Sequence, residues 1–251
     1  MKVVGAIPAR YGSTRLPGKP LKKIDGKTLI ERVYKNAEKA RILDSIIVAT
    51  DHEDIQKEVE RFGGKVRLTH RNHSSGTDRI AELIQNIECD YIVNIQGDEP
   101  FLDPADIDRM VKDVIDQKCS VGTLAKTAIT WEEYKNPNKV KVVIDEKGYA
   151  IYFSRHGIPY IRDDKTLEEQ DIPALKHIGT YVYSRDLLLK FTKMQVSPLE
   201  RLEKLEQLRF LHAGYKIFIT KTNHDSPGID TPEDLKLAEG VIKKNEFIKK
   251  N

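Results

Sequence analysis

Cysteine is scarce in this chain, and long apolar stretches are missing. The two cysteines, Cys89 and Cys119, lie far apart and form no C-x-x-C pair, which argues against a disulfide framework or a cysteine zinc site. No apolar stretch approaches the ~20 residues that span a bilayer. Met1 leads directly into a short strand-like run and not into a basic and then apolar signal segment. We therefore expect a soluble, cytoplasmic protein with no membrane association.

A large excess of charge of one sign is also missing. Lysine and arginine number 42 against 39 acidic residues, so the formal net charge is only +3. Nucleic-acid-binding proteins usually carry a broad basic field, which this balance does not provide. We therefore expect no nucleic-acid partner, and any anion site must come from a local cluster of cations. The chain also shows no internal repeat and no low-complexity linker.

The first hundred residues alternate short apolar runs with amphipathic segments. The runs predict strands over Lys2–Ile7, Ser45–Thr50, Lys65–Thr69 and Tyr91–Gln96. Between them, the spacing predicts helices over Leu29–Ala40, Glu53–Phe62 and Thr77–Asn86. Short buried strands that alternate with helices indicate an α/β fold with a mainly parallel sheet. In such sheets ligands bind at the carboxyl ends of the strands.

The pattern changes after about residue 125. Val140–Ile144 and Tyr149–Phe153 flank a turn and predict an antiparallel hairpin. The remaining segments predict a strand over His177–Tyr183, a helix over Ser197–His212, a strand over Lys216–Lys221 and a helix over Pro232–Lys244. The chain thus reads as one domain, with a nucleotide-binding core over about 1–124 and 201–251 and a smaller α/β lobe over about 125–200.

The loop after the first strand, Pro8–Pro20, concentrates positive charge on a turn rich in glycine and proline. It carries Arg10, Arg15 and Lys19, and three cations with free backbone amides suit several adjacent negative charges, such as a triphosphate. It is not a Walker A loop, because five residues separate Gly12 from Gly18 and Pro20 follows the lysine. The alternative interpretation is a solvated basic loop.

Two aspartates occupy positions that suit a metal ion. Asp98 follows the strand over Tyr91–Gln96, which puts its carboxylate at the carboxyl edge of the sheet, and Asp230 precedes a helix start. Mg²⁺ binds through one or two carboxylates together with water and phosphate oxygens. Asp98 can equally be a turn residue, and Asp230 can complement the helix dipole. Asp51 and Glu99 are weaker candidates.

A second group of polar residues falls in the predicted lobe. His177, Gly179 and Tyr181 alternate along one strand and are expected to share a face, with an open gap at the glycine. Arg155 closes the strand before them, and its guanidinium suits a carboxylate. A half-buried histidine and a core tyrosine are the alternative interpretation of the pair.

The chain resembles the sugar-nucleotide cytidylyltransferases, especially the 3-deoxy-manno-octulosonate (Kdo) cytidylyltransferase family. The resemblance rests on blocks that sample nearly the whole chain in the family's order: PARYGSTRLPGKPL, IIVATDHEDI, HSSGTDRIAE, VNIQGDEP, YFSRHGIPY, HIGTY, PLERLEKLEQLR and GIDTPEDL. It implies a Rossmann-like fold of nucleotide-diphospho-sugar transferase type. The implied reaction transfers CMP from CTP to Kdo, releases diphosphate and supplies lipopolysaccharide biosynthesis.

The resemblance also implies a role for individual residues. Catalysis falls to Arg10, Lys19, Asp98 and Asp230, and the last two are implied ligands of Mg²⁺. The implied CTP contacts are Arg10, Ser13, Arg15, Lys19, Ser75, Thr77, Arg79 and Gln96. The implied Kdo contacts are Gln96, Arg155, Arg162, His177, Tyr181, Glu206 and Gln207.

A homodimer through the hairpin lobe is implied as well. The nearest alternative function is a cytidylyltransferase for another acid sugar, such as a sialic acid. A catalytically silent nucleotide-binding protein is disfavoured, because Arg10, Lys19, Asp98 and Asp230 are all present.

Overall fold

The computed structural model describes residues 1–12, 16–162 and 168–250. Its strands are β1 (Val3–Ala9), β2 (Lys23–Ile24), β3 (Lys27–Thr28), β4 (Ser45–Thr50), β5 (Val66–Leu68), β6 (Tyr91–Asn94), β7 (Val121–Lys126), β8 (Lys141–Ile144), β9 (Ala150–Ser154), β10 (Leu175–Ser184) and β11 (Phe218–Thr222). Its α-helices are α1 (Leu29–Ala37), α2 (Glu53–Arg61), α3 (Gly76–Ile84), α4 (Pro104–Asp116), α5 (Trp131–Lys135), α6 (Arg185–Phe191), α7 (Pro198–Glu203), α8 (Gln207–His212) and α9 (Pro232–Lys250).

The chain divides into two compact units. The first unit comprises Met1–Pro104 and Ser226–Asn251, and the second comprises Ala105–Asp225. The predicted lobe, about 125–200, lies inside the second unit. Assignment of the nucleotide to one part of the chain and of the sugar to the other stays a prediction. Within the described residues, no helix is both long enough and apolar enough to cross a bilayer.

The first unit holds a parallel sheet in the order β6-β1-β4-β5. Its central strand β1 is almost wholly buried, as expected for a strand covered on both faces. Helices α1 and α3 begin at side-chain caps, since Thr28 accepts a hydrogen bond from the backbone of Glu31 and Ser75 accepts one from that of Asp78. The predicted α/β fold class is confirmed. The carboxyl ends of β1, β4 and β6 lie at one edge of the sheet.

The second unit holds strands in the order β11-β7-β10-β8-β9. Strands β11 and β7 pair in parallel, and the other pairs are antiparallel. The predicted hairpin is confirmed as β8 and β9. Strand β10 is irregular, because its register against β7 shifts between Ile178 and Tyr181. Such a bulge places extra residues of one strand opposite a single residue of the partner strand, and it bends the bulged strand locally.

One predicted helix is wrong. The segment Ser197–His212 forms two helices, α7 and α8, separated at Lys204, which is left-handed with φ 55° and ψ 45°. Ser197 and Glu200 form a capping box at the start of α7. Leu202 in α7 is 83% exposed, whereas Leu205 and Leu208 are buried.

Candidate active site

Three charged residues that are distant in sequence meet in the first unit. The Lys19 ammonium donates hydrogen bonds to Asp98 Oδ2 at 2.6 Å and to Asp230 Oδ1 at 3.1 Å. Lys19 opens a short 3₁₀ turn behind Gly18, whose φ of 64° places that glycine in the left-handed region. The ammonium is therefore held between two carboxylates.

Backbone contacts fix the two aspartates relative to each other. The amide of Ile229 donates to the carbonyl of Asp98 at 2.9 Å, so the segment that carries Asp230 lies beside the end of β6. Gly97 comes so close to β1 that an added Cβ would lie 2.9 Å from the carbonyl oxygen of Pro8. A glycine is needed there to bring Asp98 against the end of β1.

The donor set at this point suits a divalent cation. Two carboxylates already contact one cationic atom, and their combined charge exceeds that of the single ammonium. All three side chains are partly shielded from water, with exposed fractions of 15% for Lys19, 27% for Asp98 and 38% for Asp230. Mg²⁺ commonly binds one or two carboxylates and completes its shell with water and phosphate oxygens. Asp98 and Asp230 fit that requirement.

The first part of the predicted phosphate loop is anchored by Tyr11. Its amide donates to Asp51 Oδ1 at 3.2 Å, and its ring stacks on His52 with 3.9 Å between centroids. Arg10 precedes it at the end of β1 and is exposed. Ser13 and Arg15, both predicted CTP contacts, lie outside the described residues.

Arg79, another predicted CTP contact, is buried. Its guanidinium donates to Thr69 Oγ1 at 2.6 Å, to the carbonyl of His70 at 3.3 Å and to Asp51 Oδ2 at 3.1 Å. These contacts tie α3 to the ends of β4 and β5. Through these buried contacts Arg79 stabilises the local fold. Its contact with the nucleotide stays a prediction.

The other predicted nucleotide residues lie near the same edge of the first unit. Ser75 caps α3, Thr77 is buried in the first turn of that helix, and Gln96 is half-buried just after β6. The hydroxyl of Ser75 also donates to Asp78 Oδ2 at 3.0 Å. These positions place the side chains around the start of α3 and the end of β6, and their CTP contacts stay predictions.

In the second unit, the rings of His177 and Tyr181 contact each other, whereas the sequence predicted an open gap between them at Gly179. Their ring centroids are 5.4 Å apart, and the ring of Phe153 approaches His177 edge-on at 5.2 Å. Burial lowers the pKa of His177 from 6.5 to about 3, so its imidazole is neutral near pH 7. Burial likewise raises the pKa of Tyr181 well above its usual value of 10. This group of side chains is therefore uncharged.

Two buried polar atoms of the second unit lack a hydrogen-bond partner within the described part of the chain. They are Tyr181 Oη and Gln207 Nε2. Glu206, whose negative charge contributes to the raised pKa of Tyr181, precedes Gln207 at the start of α8. Buried polar groups are normally satisfied, so these atoms suggest a site that a polar ligand would complete.

The contacts of Arg155 differ from those that the sequence predicted. Its guanidinium donates to the backbone carbonyls of Glu203 at 2.7 Å, Pro137 at 3.2 Å and Lys204 at 3.4 Å. Three of its five N–H donors are thus used on the carbonyl end of α7 and the loop before β8. These contacts give Arg155 a structural role, and its predicted contact with the sugar carboxylate stays a prediction. Arg162 is exposed at the end of a described segment.

Sequence reasoning missed two residues that organise the second unit. The carboxylate of Glu203 accepts from Ser154 Oγ at 2.6 Å and from the amide of Arg155 at 2.9 Å. Thr123, which is fully buried in β7, contacts the imidazole of His177. Thr123 lies outside the quoted family blocks, and Glu203 lies within PLERLEKLEQLR but was assigned no role there. Only the pairing of β7 with β10 and the break between α7 and α8 bring them to the site.

Known proteins similar to this chain point to one family. The model of the family described as "Cytidylyltransferase" matches residues 4–217. The 3-deoxy-manno-octulosonate cytidylyltransferase of Syntrophotalea carbinolica is 47% identical over 248 residues, covering 97% of this chain and 99% of the relative. The protein of that name from Fusobacterium nucleatum is 49% identical over 249 residues, with 98% and 99% covered.

Solved structures agree with the sequence relatives. A CMP:2-keto-3-deoxy-manno-octonic acid synthetase complexed with CTP matches with a TM-score of 0.92 and 39% identity, covering 98% of this chain and all of the other. A cytidylyltransferase from Leptospira borgpetersenii, at 19% identity and a TM-score of 0.62 over 99% of this chain and 96% of its own, shares the fold. The chain is therefore a nucleotidyltransferase and belongs to the 3-deoxy-manno-octulosonate cytidylyltransferase family.

Proposed function

We propose that the protein activates Kdo: CTP and 3-deoxy-D-manno-octulosonate give CMP-Kdo and diphosphate, and the product supplies lipopolysaccharide biosynthesis. The observation that carries the proposal is the Lys19 ammonium between Asp98 and Asp230 at the edge of a parallel sheet. Family membership supports the choice of CTP and Kdo, since the relatives carry the name of this activity.

The proposed step is a displacement at phosphorus. The oxygen of the anomeric C2 hydroxyl of Kdo forms a bond to the α-phosphorus of CTP. The bond from that phosphorus to the bridging oxygen breaks, its electron pair leaves with diphosphate, and the proton of the sugar hydroxyl passes to water. Phosphoryl transfer of this kind depends mainly on positioning and on neutralisation of charge. Lys19 and Arg10 are the cations that we assign to the triphosphate and to the departing diphosphate.

We propose that Asp98 and Asp230 hold Mg²⁺. Bound there, the ion would neutralise phosphate charge and increase the acidity of the sugar hydroxyl. His177, with a pKa of about 3, binds a proton too weakly near pH 7 to serve as an efficient general base. We therefore assign His177 to binding and not to removal of the hydroxyl proton.

Kdo binding is proposed for the side chains around the neutral His177 and Tyr181 of the second unit, with His177, Tyr181, Glu206 and Gln207 as contacts. A sugar offers many hydroxyl groups that both donate and accept hydrogen bonds. The unpartnered Tyr181 Oη and Gln207 Nε2 support this assignment, because a bound hydroxyl would satisfy them. Gln96, Arg155 and Arg162 remain proposed contacts as predicted from the sequence.

We also propose a cytoplasmic homodimer. The absence of a disulfide between Cys89 and Cys119 suits a reducing compartment. An apolar residue on the β8–β9 hairpin, Ile151, is 60% exposed and supports an interface there. Sedimentation at micromolar concentration tests the dimer, and a monomer would contradict it.

Release of diphosphate tests the proposed reaction directly. We expect release when CTP, Mg²⁺ and Kdo are present together, and none when UTP replaces CTP or when the sugar is omitted. CMP-Kdo should be identified as the product by mass spectrometry. Release with a sialic acid but not with Kdo would contradict the proposed substrate, and no release with any acid sugar would contradict the proposed activity.

A further inference from the structure

Thr123 contacts three polar atoms of the bulged strand β10. Its hydroxyl oxygen lies 2.7 Å from the carbonyl oxygen of Thr180, 3.1 Å from that of Ile178 and 3.2 Å from His177 Nε2. The bulge between Ile178 and Tyr181 turns both carbonyls toward this one side chain. Thr123 is fully buried, so water does not compete for these contacts.

The number of hydrogens available at this point determines the direction of each bond. A threonine hydroxyl has one hydrogen to donate and two lone pairs with which to accept. The two carbonyl oxygens can only accept, so the hydrogen belongs to the contacts with Thr180 and Ile178. If the hydroxyl donated to His177 instead, its oxygen would face a carbonyl oxygen at 2.7 Å with no hydrogen between them. His177 Nε2 must therefore donate.

We propose that Thr123 is a positioning residue that fixes His177 as the tautomer protonated at Nε2, which leaves Nδ1 as a hydrogen-bond acceptor for a hydroxyl of the sugar. Within the described residues, Nδ1 has no hydrogen-bond partner. The inference rests on the proposed function for the identity of the ligand, while the tautomer follows from the protein alone. Whether one ring nitrogen of a histidine carries the proton is commonly set by the hydrogen bond that the other ring nitrogen makes.

The tautomer determines which part of an acid sugar can approach His177. An unprotonated ring nitrogen accepts a hydrogen bond from a hydroxyl but has nothing to donate to a carboxylate. The ring is neutral near pH 7 because burial depresses its pKa, so it also lacks a positive charge that would attract a carboxylate. The carboxylate of the sugar is thus directed away from His177, and the ring selects the polyhydroxylated part.

NMR of the full-length protein labelled with ¹⁵N at histidine tests the tautomer without any substrate. The His177 signals are assigned by their loss in His177→Gln. At pH 7 we expect a protonated, pyrrole-like Nε2 and an unprotonated, pyridine-like Nδ1. A protonated Nδ1, alone or together with Nε2, would overturn the proposal. Because it uses the native protein, this measurement does not depend on the folding of a variant.

Two variants of Thr123 connect the tautomer with binding. In Thr123→Ser, which keeps the hydroxyl, we expect the native tautomer and a native KM for Kdo. In Thr123→Val, which keeps the shape and removes the hydroxyl, we expect a mixture of tautomers and a roughly 3- to 10-fold higher KM for Kdo. The KM for CTP should not change. A native tautomer in a folded Thr123→Val protein, or loss of that tautomer in Thr123→Ser, would overturn the assignment to Thr123.

These outcomes separate the inference from the proposed function. If NMR finds Nε2 protonated but no CMP-Kdo forms with any acid sugar, the tautomer stands and the proposed function fails. If CMP-Kdo forms while Nδ1 is protonated, the proposed function stands and the inference fails.

Discussion

The polar groups described in the two compact units differ in the charge of their side chains. In the first unit, Lys19, Asp98 and Asp230 are charged and partly open to water, and they come from loops that follow strands or precede a helix. In the second unit, His177, Tyr181 and Thr123 are neutral and lie within the strands themselves. A triphosphate and a metal ion require charge, whereas a sugar requires donors and acceptors in fixed directions. The difference supports the proposed assignment of CTP to the first unit and of Kdo to the second.

The two groups also depend on the fold in different ways. Charge acts over several ångströms, so the first group tolerates small movements of its loops. A hydrogen bond weakens steeply when its angle or distance changes, so the second group depends on the bulge in β10 and on the break between α7 and α8. Removal of a charge should therefore affect catalysis, and a change in backbone geometry should affect selection of the sugar.

Removal of one carboxylate from the charged group should have the largest effect. We expect Asp98→Asn and Asp230→Asn each to lower turnover at least ~100-fold, because each removes a strong electrostatic contribution to metal binding. The fold should survive, since both residues are partly exposed. Asp116→Asn, at the exposed end of α4, is the matched control and should keep full turnover. Steady-state kinetics at saturating substrate measure the effect, and native turnover in either site variant would contradict the assignment.

Removal of the cation should affect binding of the nucleotide. We expect Lys19→Met to weaken CTP roughly 10- to 100-fold, as for a hydrogen bond to a charged group, and to weaken CMP much less. The difference arises because we assign Lys19 to the outer phosphates. Lys22→Met, on an exposed neighbour three residues along the chain, should leave both affinities native. Calorimetry measures them, and equal losses for CTP and CMP would argue against contact with the outer phosphates.

Sequence reasoning succeeded where periodicity and strand ends determine position. The parallel core of the first unit and the β8–β9 hairpin follow from short apolar runs and turn residues. Lys19 and Asp98 were placed at the carboxyl edge of the sheet, because each follows a predicted strand or its loop. Asp230 was placed with them through the family resemblance, and the structure brings all three together.

The sequence did not predict the features whose position depends on a single backbone torsion or on a shift in strand register. The spacing of the leucines fits one long helix over Ser197–His212, and no glycine or proline marks the left-handed Lys204. That break brings the carbonyls of Glu203 and Lys204 to Arg155, which the sequence had assigned to the sugar. The role of Thr123 depends on the bulge in β10, and strand alternation gives no sign of a bulge.

Substitution of the left-handed Lys204, between α7 and α8, can change the direction of α8 without replacing any residue that we propose to contact Kdo. We expect Lys204→Val to lower the free energy of unfolding by about 1–2 kcal/mol, since a β-branched side chain is strained at φ 55°. It should also raise the KM for Kdo, because α8 carries Gln207 and begins at Glu206. Lys204→Gly, which removes the strain, should raise the free energy of unfolding by up to ~1 kcal/mol and keep the native KM.

Lys118 provides the control for that comparison. It is also left-handed, with φ 52°, but lies between α4 and β7 and not next to α8. Lys118→Val should therefore lose stability by a similar amount while the KM for Kdo stays native. A KM that changes equally in Lys118→Val and Lys204→Val would show that general destabilisation, and not the direction of α8, determines binding.

The neutral histidine should contribute to the pH dependence of stability. The pKa of His177 is about 3 in the folded protein and 6.5 at its ordinary value, so between these pH values the unfolded chain binds a proton that the folded chain does not. Protonation therefore favours unfolding, and this contribution lowers stability progressively as the pH falls below 6.5. We expect His177→Asn to make the slope shallower by up to ~1.36 kcal/mol per pH unit, measured by urea unfolding between pH 4.5 and 7.5. The same substitution at the exposed His212 should leave the slope native. Equal slopes in the native protein and His177→Asn would mean that the pKa of His177 is the same in the folded and unfolded protein, which would contradict the lowered pKa on which the neutral character of this group rests.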